Sequence, residues 1–202
     1  LVSMTDGQIM LDAALFGEGQ RPALDLGLSV SRVGTKVQWP IVKELSGPLR
    51  LEYLQFKELQ RISKLRSGAQ TDEVLDQLKS GEILTYLLRQ DKDAPFNLEA
   101  LVLILYGFHK KYLHKLNMDE VNEFQVKILN FTKETNPEFL KLLRERKKMD
   151  EDVEKGLTDI LEAYISKILG KRQEGSGNLD EGNEIVSNLG KDVLDEATTK
   201  QS

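Results

Sequence analysis

What most constrains this chain is the change of periodicity at Gly34. Before it, two β-prone runs, Leu1–Thr5 and Leu28–Val33, bracket a segment rich in Gly, Pro and Asp, the composition of strand ends and tight turns. After it, apolar residues recur at near-helical spacing. Leu51, Leu54, Leu59, Ile62 and Leu65 make one set, and Val74, Leu75, Leu78, Ile83, Leu84, Leu87 and Leu88 make the next; they line up only if the chain winds as a helix. A chain written this way is a short α/β remnant followed by an all-α bundle. Breaks are expected at Ser67-Gly68 and Ser80-Gly81, since glycine costs a helix interior about 1 kcal/mol relative to alanine.

Further along, Leu98–Leu116 reads as one long helix that runs from apolar to basic. Asn117 and Glu120 stand at capping-box spacing before a helix carrying Val121, Phe124, Ile128 and Phe131. Asn136 and Pro137 begin another, with Asn as cap and Pro at the first helical position. The last helix is capped by Asp150 and carries Val153, Leu157, Ile160, Leu161, Tyr164, Ile165 and Ile168 on one face. Acids crowd its start, and Lys167, Lys171 and Arg172 surround its end beside Gly170. From Gln173 to Ser202, glycine, serine, asparagine and scattered acids read as a solvated extension, with at most a short amphipathic helix over Ile185–Leu194.

Composition removes several functions. A net charge of −5 over 202 residues argues against a nucleic-acid footprint. The most hydrophobic stretch, Leu101–Phe108, is soon followed by His109, Lys110 and Lys111, too short to cross a bilayer, so membrane association would come only through partners. The absence of cysteine excludes a disulfide scaffold and a thiolate metal site. His109 and His114 are five apart, which is not one-turn metal spacing, and they read as part of a surface basic cluster with Lys110, Lys111 and Lys115. No metal ligand is assigned. Tyr106, Phe108 and Tyr112 read as core or interface packing, and Asp6 and Asp25 as structural acids.

Arg32 is the residue with the sharpest chemistry. It falls where the second strand gives way to loop, and loops at strand ends collect binding residues. A guanidinium held there pairs with phosphate oxygens or bridges a surface carboxylate. The residues alone leave both open.

The order of residues adds a resemblance. Ser3-Met-Thr-Asp-Gly-Gln8, Arg21-Pro-Ala23 and Gly27-Leu-Ser-Val-Ser-Arg-Val-Gly34 closely resemble the C-terminal portion of the α subunits of F-type rotary ATP synthases. The resemblance implies that residues 1–38 are the end of a P-loop (RecA-like) nucleotide-binding domain, 39–170 a C-terminal helical bundle and 171–202 an acidic extension. It implies that Arg32 is an arginine finger delivered in trans to a catalytic site of the β subunit, where a fixed guanidinium stabilises the charge of phosphoryl transfer. Ser3 matches a serine near the phosphate. Arg21, Pro22 and Gln90 match contacts to the adenine of an ATP or ADP that is bound with Mg2+ and not turned over; Lys92 stands where that family has a second glutamine.

The same resemblance implies β subunits, a gamma-type central shaft, a peripheral stalk and the N-terminal part of α as partners, in a proton-translocating synthase. No Gly-x-x-x-x-Gly-Lys-Ser/Thr phosphate loop occurs in the chain, so phosphate and metal ligands would lie outside it, and the chain, which begins with Leu, would be a split, processed or partial α subunit. Thr132–Phe139 resembles plastid and bacterial α subunits, which implies the stromal side of a thylakoid membrane, with a bacterial plasma membrane or mitochondrial inner membrane as alternatives. Lys36 and Trp39 replace small residues usual after the arginine motif. Lys64–Asp72 departs from the family at the tip facing the shaft. The departures at Lys92 and at this tip keep open an alternative of another class, a non-catalytic helical scaffold or adaptor derived from the same family.

Overall fold

The computed structural model describes residues 4–65, 71–90, 92 and 94–171. The expected break at Ser67-Gly68, Ser3, and the extension with its Ile185–Leu194 segment lie outside those residues. The chain divides into two units, Leu1–Leu161 and Glu162–Ser202.

The first unit opens with two short strands, β1 (Gly7–Gln8) and β2 (Val30–Ser31), paired antiparallel with Gly7 opposite Ser31. Of the early strand expected over Leu1–Thr5, the described residues Met4 and Thr5 lie in a turn and a bend ahead of β1, and the Asp6 carbonyl accepts the Arg32 amide at 2.8 Å. Gly7 permits the close approach: a Cβ there would stand 2.4 Å from the Val30 carbonyl oxygen. Between the strands, Asp12 caps helix α1 (Ala13–Gly17) by accepting from the Ala14 amide. Asp25 accepts from the Gly27 and Leu28 amides, an Asx turn that feeds β2.

Helices follow: α2 (Gly34–Val37), α3 (Pro40–Ser46), α4 (Leu49–Leu65), α5 (Asp72–Leu87) and α6 (Leu98–His109). After a 3-10 turn at Tyr112–Lys115 come α7 (Met118–Thr135), α8 (Pro137–Arg146) and α9 (151–161). The core centres on α6, which is buried nearly all round and touches α3, α5, α7 and α8, as a helix apolar on every side must. In the second unit the described residues, 162–171, are helical, with Tyr164, Ile165 and Ile168 buried.

Caps fall where the sequence puts them. Asn117 and Glu120 form a reciprocal capping box at 2.8 and 2.9 Å, Asn136 accepts from Phe139, and Asp150 from Val153.

Four expectations change. Leu98–Leu116 is not one helix: α6 stops at His109, Lys111 is left-handed at φ 57°, and the 3-10 turn follows. Leu113, five residues after Phe108, would land about 140° round a continuous helix; the break instead buries Leu113 and Leu116. Ser80-Gly81 does not interrupt α5, because Phe56 of α4 lies over Gly81. The buried face of α4 is Leu49, Tyr53 and Phe56, while Leu51, Leu54 and Ile62 are exposed. Finally, His109 and His114 are not a surface cluster. His109 Nε2 contacts the Leu45 carbonyl, and His114 Nε2 lies 2.7 Å from Ser80 Oγ with its side chain only 12% exposed.

Candidate functional site

Two places gather the chemistry expected from sequence. The first is the end of β2. Ser31 Oγ accepts the Gly34 amide at 3.1 Å, turning the chain straight after Arg32, whose own amide is tied to Asp6. The Arg32 backbone is thus held by β2 on one side and by two hydrogen-bonded turns on the other. Its side chain is exposed, and among the described residues no ion pair or hydrogen bond engages the guanidinium. A cation with a fixed backbone and a free, planar five-donor head is able to meet an oxyanion from outside the chain.

The second place is an open groove of about 710 Å³ bordered by Leu11, Phe16, Arg21, Pro22, Gln90 and Lys92. Segments nearly seventy residues apart in sequence meet here through one backbone bond, the Gln90 amide donating to the Arg21 carbonyl at 2.9 Å. The Arg21 guanidinium stacks 4.5 Å from the centre of the Phe16 ring, a cation–π contact that fixes its plane. Gln90 Nε2 donates to the Ala94 carbonyl at 3.2 Å, which leaves its Oε1 as an acceptor.

The structure therefore brings Arg21, Pro22 and Gln90 together, and places Arg32 apart from them at the end of β2. Phe16 was not singled out from sequence; an isolated aromatic in a five-residue helix carries no periodic signal.

The groove suits a planar base. It offers an apolar wall, a flat guanidinium and an amide acceptor, whereas among the described residues no group of three His, Cys, Asp or Glu side chains is placed to hold a metal. These residues could hold the base of a nucleotide.

Residues 38–164 match the family described as ATP synthase alpha/beta chain, C terminal domain. The chain belongs to that family. Relatives named ATP synthase subunit alpha match beyond the helical part: those of Aquifex aeolicus and Rickettsia bellii are 36% and 35% identical over 84% and 82% of the chain. The sodium ion specific subunit alpha of Acetobacterium woodii is 36% identical over 85% of the chain. In each case the chain spans about a third of the relative's length: 34% for Acetobacterium woodii, 33% for Aquifex aeolicus and 32% for Rickettsia bellii. The matched family span takes in α3 to α9, so the helices described above are the helical C-terminal domain of an ATP synthase alpha/beta chain, with similarity to alpha subunits in particular. Among the described residues, no helix of this family member is long and apolar enough to cross a membrane.

Proposed function

We propose that this chain is the C-terminal part of the non-catalytic alpha subunit of a proton-translocating F-type ATP synthase, and that it supplies Arg32 in trans to a beta-subunit catalytic site. The observation that carries the proposal is the state of Arg32: backbone pinned from both sides, side chain exposed and unengaged among the described residues. Phosphoryl transfer spreads negative charge over the equatorial oxygens of the transferred group, and a guanidinium already in place stabilises that charge without reorganising. The chain alone turns nothing over in this reading. It acts within an alternating ring of alpha and beta subunits around a gamma-type shaft, with a peripheral stalk.

Residues 1–38 complete the nucleotide-binding domain of that subunit, 39–170 form the ring-building bundle, and 171–202 extend from it. Exposure supports this division. Met4, Ile9, Leu11, Leu28 and Val37 are 83%, 72%, 70%, 60% and 77% exposed, a run of apolar side chains that asks for cover by other polypeptide. Arg21, Pro22 and Gln90 hold the adenine of a nucleotide that is not hydrolysed, with phosphates and Mg2+ bound by the N-terminal part of alpha, and Ser3 sits near the catalytic phosphate. The complex is peripheral to a membrane. Of the membranes that the Thr132–Phe139 run suggests, the bacterial plasma membrane is favoured by the bacterial relatives over the thylakoid.

The test is native purification of the chain from its source with mass spectrometry of what accompanies it. Recovery with a phosphate-loop-bearing alpha segment, in the same or a separate polypeptide, with beta subunits and with a shaft subunit is the expected result. Recovery without beta subunits would overturn the proposal in favour of a scaffold.

A further inference from the structure

The strand that leads into Arg32 has little to hold it in place by itself. β1 and β2 are two residues each, and a two-stranded ribbon alone is marginal in water. A slip of one residue would turn the side chains of β2 to the opposite face, and Arg32 follows directly on that strand, so whatever grips the two ends of β2 sets where the guanidinium goes. Past the strand the grip is local, from Asp6 to the Arg32 amide and from Ser31 Oγ to the Gly34 amide. Ahead of it, Met10 ties down the turn over residues 25–29: its carbonyl accepts the Asp25 amide at 2.9 Å and its amide donates to Ser29 Oγ at 3.0 Å.

A third hold on that turn comes from the helices. Arg50, in the first turn of α4, donates from Nη2 to the Gly27 carbonyl at 2.7 Å. Among the described residues no carboxylate pairs with this guanidinium; its bond is to a neutral backbone oxygen, and the charge on the donor strengthens it. Leu54, one turn further along α4, lies against the same glycine, since a Cβ on Gly27 would stand 3.1 Å from Leu54 Cδ2. We infer that Arg50 is a positioning residue for Arg32, a role that rests on Arg32 being the arginine finger proposed for it. By holding the Gly27 carbonyl, Arg50 fixes the turn from which β2 starts, and through β2 the Arg32 backbone. The helical domain thereby takes part in placing the catalytic group.

The experiment is a double-mutant cycle in the purified, fully assembled complex: parent, Arg50→Ala, Arg32→Ala and the two together, each measured for kcat and KM of ATP turnover, with hydrogen exchange over residues 25–33 followed in the same samples. Arg50→Ala is expected to lower kcat by about 10- to 10²-fold, between the loss of a hydrogen bond to a charged group and the misplacement of a reacting group by about 1 Å. KM should stay unchanged, exchange over 25–33 should quicken, and the same substitution should add no further loss once Arg32 is alanine. Should Arg50→Ala prevent assembly, Arg50→Gln, which keeps an N–H for the carbonyl, is expected to give the same pattern with a smaller loss. Parent turnover in the Arg50→Ala complex while Arg32→Ala is crippled, an equal loss from Arg50→Ala in both backgrounds, or unchanged exchange over 25–33 would each overturn the role of Arg50 and leave the finger standing. Parent turnover with Arg32→Ala would overturn both.

Discussion

At Gly81, a Cβ would stand 2.0 Å from the Phe56 ring, so the packing of α4 on α5 runs through one missing side chain. Gly81→Ala should therefore destabilise the chain by about 1–3 kcal/mol through overpacking, even though alanine is the better helix former by about 1 kcal/mol. Gly170→Ala, with open space around it, should be neutral or stabilising by up to about 1 kcal/mol. Urea unfolding of both variants checks the contrast, and similar shifts in the two would contradict it. Sequence showed Gly81 only as a weak helix former, which is why it read as a break; the ring that needs its bareness is twenty-five residues away and out of reach of local propensity.

His114 was misread for a related reason. Five lysines and histidines within the seven residues 109–115 look solvated, and nothing local says that the chain turns left-handed at Lys111 and tucks the imidazole against Ser80. Because its folded pKa is lowered, chiefly by burial, the unfolded chain takes up that proton first as pH falls. The contribution is complete above the ordinary histidine value of about 6.5 and is lost as pH drops from there through the lowered folded value. Asp76, Lys111 and Lys79 face the same imidazole, and His114→Gln should flatten the fall in stability over that window; an unchanged pH slope in denaturant melts would refute the assignment.

Among the elements, α7 shows what sequence reads well. Its capping box is a local device, complete within four residues, and it forms as spaced. Asn117→Ala should cost about 1 kcal/mol, and helix α7 should lose hydrogen-exchange protection at its first turn before anywhere else; uniform loss along α7 would speak against a capping role. Faces were harder than ends. The leucines of α4 suggested its buried stripe, yet Tyr53 and Phe56 occupy the core and Leu51 and Leu54 look outward, because which face is covered depends on where α5 lies, not on which residues are most aliphatic. Leu54 is also within reach of Gly27, a contact to the strand segment that no helical pattern encodes. Trp39, an unexpected residue at the start of α3, has its ring under the Lys147 ammonium at 5.7 Å, and the Lys147 carbonyl accepts the Ile41 amide. The loop after α8 thus fastens the beginning of α3.

For the molecule as a whole, the helical domain follows from periodicity and the family from motif order. The groove around Arg21 joined two motifs that sequence could name and could not bring together without the Gln90–Arg21 backbone bond. On the proposed function the exposed apolar run before Gln38 is covered by other polypeptide, so hydrogen exchange over residues 4–37 should be fast in the isolated chain and slow in the assembled complex. Equal rates would mean that this segment is not an interface. The proposed role of Arg32 is tested by steady-state ATP turnover of the purified, fully assembled complex carrying Arg32→Ala or Arg32→Lys. A trans arginine finger predicts normal subunit stoichiometry with turnover reduced by on the order of 10³ or more in the alanine variant, and little rescue by lysine, which keeps the charge and loses the planar fork. Turnover near the parent value in an intact Arg32→Ala complex would contradict it.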